Sequence, residues 1–127
     1  MAAPDIDVDQ YRDLAPKVRK LAKGMTLYAS SSDRALSVSR KLAGGIPRAG
    51  DVFDGKPVLI ETVDTIDASA IGTEILGLNH SDYASDRSIL HDVKRVFADG
   101  KRPPPERGVG LDCMPNDLSP TWWRFSD

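Results

Sequence analysis

Met25-Thr-Leu-Tyr-Ala-Ser-Ser-Ser-Asp33-Arg-Ala-Leu-Ser-Val-Ser-Arg-Lys-Leu-Ala-Gly-Gly-Ile-Pro-Arg48 reads as a strand, a polar turn and a helix in succession. Met25 to Ala29 is short, apolar and β-prone, and three serines end it. Beyond Asp33, the residues Ala35, Leu36, Val38 and Leu42 fall on one side of a helix predicted over Arg34–Ala43. Gly44 and Gly45 close that helix, because glycine takes the left-handed conformation of a helix end. A buried strand that feeds a helix through a polar turn leaves Asp33 at the strand's carboxyl end. In open α/β sheets that rim is where ligands and chemistry gather.

Toward the amino end, Tyr11, Leu14, Val18 and Leu21 recur at helical spacing. Pro16 has no N–H to donate, so the pattern predicts a short helical piece to Leu14 and a second helix that starts at Pro16 and ends at Gly24. Residues 1–7 read as the end of a strand followed by an acidic turn. Toward the carboxyl end, Pro47–Lys56 reads as irregular, and Pro57–Asp64, with Val58, Leu59, Ile60 and Val63, as a second strand covered on both faces. Asp64–Ser69 and Ile71–Tyr83 read as loops. Ile89, Leu90, Val93, Val96 and Phe97 make one apolar stripe on a helix over Asp86–Ala98, with Ser85 placed to cap its start and Gly100 beyond its end. Pro103, Pro104 and Pro105 begin an extended tail, which Trp122, Trp123 and Phe125 dock onto the body. The alternation of strands and helices predicts a parallel sheet with helices on both faces, joined by right-handed crossovers. Two strands and a stub make a thin sheet whose open edge invites pairing with another chain.

The 127 residues allow one domain with a modest core. A net charge of −2 gives no electrostatic reason to expect nucleic acid as a partner, and no apolar run approaches a membrane span. Cys113 is the only cysteine, which excludes an intrachain disulfide and fits a reducing, cytoplasmic setting. Nothing near Cys113 in the sequence would activate its thiolate.

Asp33 and His80 are the candidate catalytic pair. Each follows a predicted strand, so parallel neighbouring strands would carry both to one rim. A carboxylate beside an imidazole fixes its tautomer and stabilises the imidazolium formed when histidine takes a proton. Taken singly, Asp33 also reads as a helix N-cap and His80 as a surface residue of a polar loop. His91 reads as part of a helix surface. Asp5, Asp7, Asp64 and Asp67 could be imagined around a hard cation, but turn and cap duty is the plainer reading, and no metal or cofactor is expected.

Five segments, Ala-Ala-Pro-Asp-Ile-Asp at 2–7, Thr-Leu-Tyr-Ala-Ser-Ser-Ser-Asp-Arg-Ala-Leu at 26–36, Pro-Arg-Ala-Gly at 47–50, Asp-Thr-Ile-Asp-Ala-Ser at 64–69 and Asn-His-Ser-Asp-Tyr at 79–83, stand in this order. Together they resemble the C-terminal half of an uncharacterised bacterial group within the α/β-hydrolase superfamily. The resemblance implies a partial, three-layer α/β-hydrolase fold over residues 1–107, with an extended tail at 108–127. It also implies that Asp33 is the acid and His80 the histidine of a catalytic triad, in a chain that acts on esters or related acyl compounds. Where such proteins usually carry Gly-His-Ser-Tyr, this chain has Asn79-His80-Ser81-Asp82-Tyr83. The superfamily's nucleophile sits in a Gly-x-Ser-x-Gly elbow that precedes acid and histidine in chain order. No such elbow occurs in the sequence. The matching part of the family falls upstream of Met1, so the expectation is a fragment that supplies two triad members. A non-catalytic interaction module built on the same fold is the alternative, and a metal-dependent hydrolase using His80 with nearby aspartates is a third.

Overall fold

The computed structural model describes residues 6–31, 47–69, 83–100, 103–107, 110–115 and 121–125. Three expected features lie outside these residues: the stub before Ile6, the helix over Arg34–Ala43 and most of the loop that carries His80. The elements are α1 (Val8–Leu21), β1 (Thr26–Ala29), β2 (Val52–Phe53), β3 (Lys56–Pro57), β4 (Asp64–Asp67), α2 (Tyr83–Ala98), a 3-10 turn (Pro104–Arg107), β5 (Leu111–Met114) and β6 (Trp122–Phe125).

Helix α1 starts where Asp7 accepts hydrogen bonds from the amides of Asp9 (2.7 Å) and Gln10 (3.3 Å), two of the donors a helix start leaves unpaired. Pro16 does not break it, contrary to the expectation from its missing N–H. Proline removes one donor in the ladder, but Pro16 is exposed while Tyr11 and Ala15 are buried, so packing holds both halves in one helix. At the other end the Arg19 guanidinium donates to the Ala22 carbonyl at 2.7 Å, satisfying one of the free acceptors of the last turn.

The principal sheet has the order β1-β4-β6-β5. β1 and β4 are parallel, with Thr26 opposite Asp64 and Ala29 opposite Asp67; β6 is parallel to β4, and β5 is antiparallel to β6. Alternation along β1 and β4 builds two cores. Leu27 faces α1, packed with Tyr11, Ala15, Ala49 and Ile60. Tyr28 and Ile66 face α2, packed with Ala68 and Phe125, with Ile89 and Val93 against them. The result is the expected three-layer α/β arrangement with a mostly parallel sheet.

Several expectations are corrected by hydrogen bonding that periodicity does not reveal. The second strand is not Pro57–Asp64 but Asp64–Asp67, a segment read as a loop. Thr65, Ile66 and Asp67 are the buried residues there, and two of them are β-branched or apolar inside a four-residue strand bounded by charge. Pro57 instead ends a small ladder in which β2 and β3 pair around Asp54-Gly55. Both turn residues have positive φ, +49° and +72°, the left-handed pair that an Asp-Gly turn favours. The Pro47–Lys56 stretch is therefore partly ordered. In the stretch read as an extended tail, Pro104–Arg107 forms one helical turn, and the two strands beyond it join the sheet, with Trp122 and Phe125 buried. Helix α2 begins at Tyr83, so Ser85 lies within it rather than at its cap. Gly100, φ +64°, stands just past its end, where a side chain would strain the left-handed backbone.

Candidate functional site

The carboxyl ends of β1 and β4 form a single rim. The Ala68 amide donates to the Ala29 carbonyl at 2.7 Å, which extends the parallel ladder past both strands. The Ser31 amide then donates to Ser69 Oγ at 2.8 Å, and the Ser69 amide donates to Asp67 Oδ1 at 2.9 Å. This last bond is an Asx turn, the local closure that aspartate makes with the backbone two residues on. The two outgoing stems, one leading to Asp33 and the other to His80, are thus latched together at Ser31 and Ser69. Asp33 and His80 themselves lie outside the described residues, and so do the segments that carry them.

Asp67 anchors the latch. Its carboxylate is almost fully buried and accepts from Arg124 Nε at 3.3 Å through Oδ2. Arg124 reaches over from β6, lies 5.2 Å from the centroid of the Trp122 ring and donates to the Gly55 carbonyl at 3.3 Å. A buried carboxylate needs such a partner, because desolvation penalises its charge. The rim is therefore braced by the carboxyl-terminal hairpin and by the Asp-Gly turn, neither of which the sequence pattern connected with it.

A second polar cluster sits at the other ends of the strands. Arg107 is 1% exposed; it donates to Asp92 Oδ2 at 2.9 Å, to Thr26 Oγ1 at 2.9 Å and to Asp64 Oδ2 at 3.3 Å. Tyr28 donates its hydroxyl to the same Asp92 oxygen at 2.5 Å. Burial pushes the Tyr28 phenol well above its ordinary value; the Asp92 hydrogen bond and charge add to the rise, and the Arg107 cation opposes it. A phenol held protonated in this way is a hydrogen-bond donor and not a base. The cluster ties α2 and the 3-10 turn to the beginnings of β1 and β4, away from the rim. Asp92 could have been found in the sequence, since it falls among the apolar positions of α2, between Ile89 and Val96. Arg107 carried no comparable signal.

The other charged candidates take ordinary places. His91 is exposed on α2. Asp7 caps α1, and Asp64 pairs with Arg107. Cys113 is half-buried in β5. Among the described residues no three His, Cys, Asp or Glu side chains come together as a metal site. A cleft of about 770 Å³, lined by Arg19, Met25, Ile60, Thr62, Pro104 and Trp123 among others, opens at the amino ends of the strands, on the far side from the rim. Thr62 there holds φ +77°, a strained value for a β-branched residue. No helix among the described residues is long and apolar enough to cross a membrane.

Comparison with known proteins found no match among curated proteins or solved structures. The family model of an α/β hydrolase of unknown function, DUF900, matches residues 1–98. With that match over most of its length and a parallel sheet between two helical layers, the chain belongs to the DUF900 family of α/β hydrolases.

Proposed function

We propose that this chain supplies the acid and the base of a serine hydrolase acting on esters or related acyl compounds, with Asp33 as the acid and His80 as the base. His80 takes the proton of a serine hydroxyl as that oxygen attacks the acyl carbon, and returns it to the leaving group. Asp33 orients the imidazole and stabilises the imidazolium. The serine and its oxyanion donors come from a polypeptide that bears the elbow, which this sequence does not contain. The observation that carries the reading is the Ser31–Ser69 hydrogen bond, which brings the two stems to one rim. Family membership agrees with it. A cytoplasmic setting, where Cys113 stays reduced, accompanies this reading.

The chain has two histidines, so its imidazoles can be followed separately by NMR. The expected result is that Asp33→Asn lowers the His80 pKa, since a nearby carboxylate favours imidazolium. An unchanged His80 titration in Asp33→Asn refutes the pairing. With a short-chain nitrophenyl ester, the chain alone gives no His80-dependent turnover; turnover lost in His80→Ala would contradict a nucleophile supplied from elsewhere. The alternative, a non-catalytic interaction module, draws on the large apolar side chains exposed on both helices. It predicts that Asp33→Ala and His80→Ala leave function unchanged.

A further inference from the structure

Tyr11, Ala15 and Arg19 follow one another at four-residue steps along α1, so Arg19 continues the face that the first two bury. A charged residue there is half-buried at the cleft that opens at the amino ends of the strands. Its bond to the Ala22 carbonyl caps the helix, but that takes one of the five N–H donors of the guanidinium. Lys23 borders the same cleft. Among the described residues neither cation has a carboxylate within ion-pair distance. Two carboxylates also line the cleft; Asp64 is engaged by the buried Arg107, and Glu61 is exposed. Glu61 and Thr62 are the central residues of a turn in which the Val63 amide donates to the Ile60 carbonyl at 3.1 Å. Thr62, at φ +77°, holds the place that a type II turn reserves for glycine. Backbone strain of this kind costs stability and gathers at ligand sites. The remaining lining is largely apolar, with Met25, Pro104 and Trp123, and a volume of about 770 Å³ suits a small molecule.

We infer that this cleft binds a small amphiphilic anion, an acyl or aryl carboxylate held at its charged end by Arg19 and Lys23 and along its hydrocarbon by Met25, Pro104 and Trp123. The lining selects this class. A guanidinium with donors to spare meets both oxygens of a carboxylate at once, and a charge-assisted bond of that kind is stronger than one between neutral groups. Lys23 adds a second positive charge, and the Thr62 hydroxyl is a further donor that glycine at the turn would lack. With Asp64 engaged by Arg107, the cations outnumber the one remaining carboxylate, so an ammonium is repelled where an anion is drawn in. The hydrocarbon supplies most of the affinity by leaving water. Glu61 opposes the anion, which keeps binding modest. The site is remote from the rim and does not rest on Asp33 or His80; it is a second site on the opposite end of the sheet.

Titration of the full chain with decanoate, followed by NMR, tests this. The indole N–H of Trp123 and the amides of Lys23 and Thr62 report on the cleft, and Trp122, which does not line it, is the internal control. The expected result is a saturable shift at the three reporters with a dissociation constant of roughly 0.1–1 mM, the range open to a ligand of this size. A parallel titration with 2-naphthoate separates an acyl from an aryl preference. Decanol binds at least about fivefold more weakly than decanoate, since it forgoes the charge-assisted bonds. Arg19→Met and Lys23→Met each weaken decanoate and leave decanol unchanged, which also shows that the cleft is intact, whereas Glu61→Gln strengthens decanoate. Asp33→Ala and His80→Ala leave decanoate binding as it was, so failure of the triad reading and failure of this one are told apart. Three outcomes overturn the proposal: no saturable shift of the reporters up to about 5 mM, some tenfold above the middle of that range; decanol bound as tightly as decanoate; or decanoate affinity indifferent to Arg19→Met, Lys23→Met and Glu61→Gln alike.

Discussion

Replacing Arg107 by alanine is the sharpest test of what holds this fold together. The guanidinium is 1% exposed and its Asp92 partner is fully buried, so among the described residues the variant leaves this buried carboxylate with the Tyr28 hydroxyl alone as a donor to Oδ2. Among the described residues Asp92 Oδ1 has no hydrogen-bond partner, so the remaining charge has little to fall back on. Breaking a buried pair from one side costs about 3–5 kcal/mol, chiefly for the uncompensated charge. Losing the bond to Thr26 adds about 1 kcal/mol, whereas Asp64, whose side chain is 36% exposed, recovers most of its loss from water. The expected destabilisation is about 4–6 kcal/mol, a large share of the roughly 5–15 kcal/mol that a domain commands. Urea unfolding followed by tryptophan fluorescence reads it, with Trp122 buried and Trp123 half-buried in the sheet. R107M/D92L, which removes both charges and keeps apolar bulk, should recover most of the loss. A cost below about 1 kcal/mol for Arg107→Ala would refute the view that the cluster is an interdependent buried network.

Two other predictions concern single side chains. The Tyr28 phenol is raised in the folded state from an ordinary value of 10.0, so its contribution is complete below that pH and is lost as pH climbs above it; alkaline destabilisation measured by melting from pH 9 to 11.5 should be smaller in Tyr28→Phe, and an identical pH profile would contradict the assignment. Thr62→Gly relieves a β-branched residue at φ +77° and should leave stability unchanged or raise it by up to about 1 kcal/mol, the released strain outweighing the added freedom of the unfolded chain; a clear loss in the urea midpoint would show that the Thr62 side chain supports the cleft it lines.

The layers of the fold were legible because they depend on spacing. Tyr11 on α1, Leu27 and Tyr28 in β1, and Ile89 and Val93 on α2 pack where an apolar residue was expected, whereas Leu14, Val18 and Leu21 of the same α1 stripe are exposed and Ala15, outside that stripe, is buried in their stead. What spacing could not supply was pairing. Asp64–Asp67 is a strand because β1 on one side and β6 on the other hydrogen-bond to it, and nothing within its four residues announces that. Trp122 and Phe125 were readable as docking residues, but the place of their strand between β4 and β5 follows only from the assembled sheet. Leu90 and Phe97 were legible as members of the α2 apolar stripe and are nevertheless exposed, since a stripe on a helix does not declare which of its members the sheet will cover. For the site, the sequence singled out Asp33 and His80, which lie outside the described residues. The Ser31–Ser69 latch and the Asp67–Arg124 brace join residues 38 and 57 positions apart, and pairs so distant leave no mark on a single sequence.

Arg107 has one more consequence. The family match ends at Ala98, yet the cation that neutralises Asp92 and the two strands flanking β4's far side all come later in the chain. A polypeptide trimmed at the family boundary would keep the anion and discard its counterion, and would leave Ile66 and Tyr28 facing water where Phe125 had covered them. Ala98 therefore ends the matched segment before the residues that neutralise Asp92 and extend the sheet beyond β4.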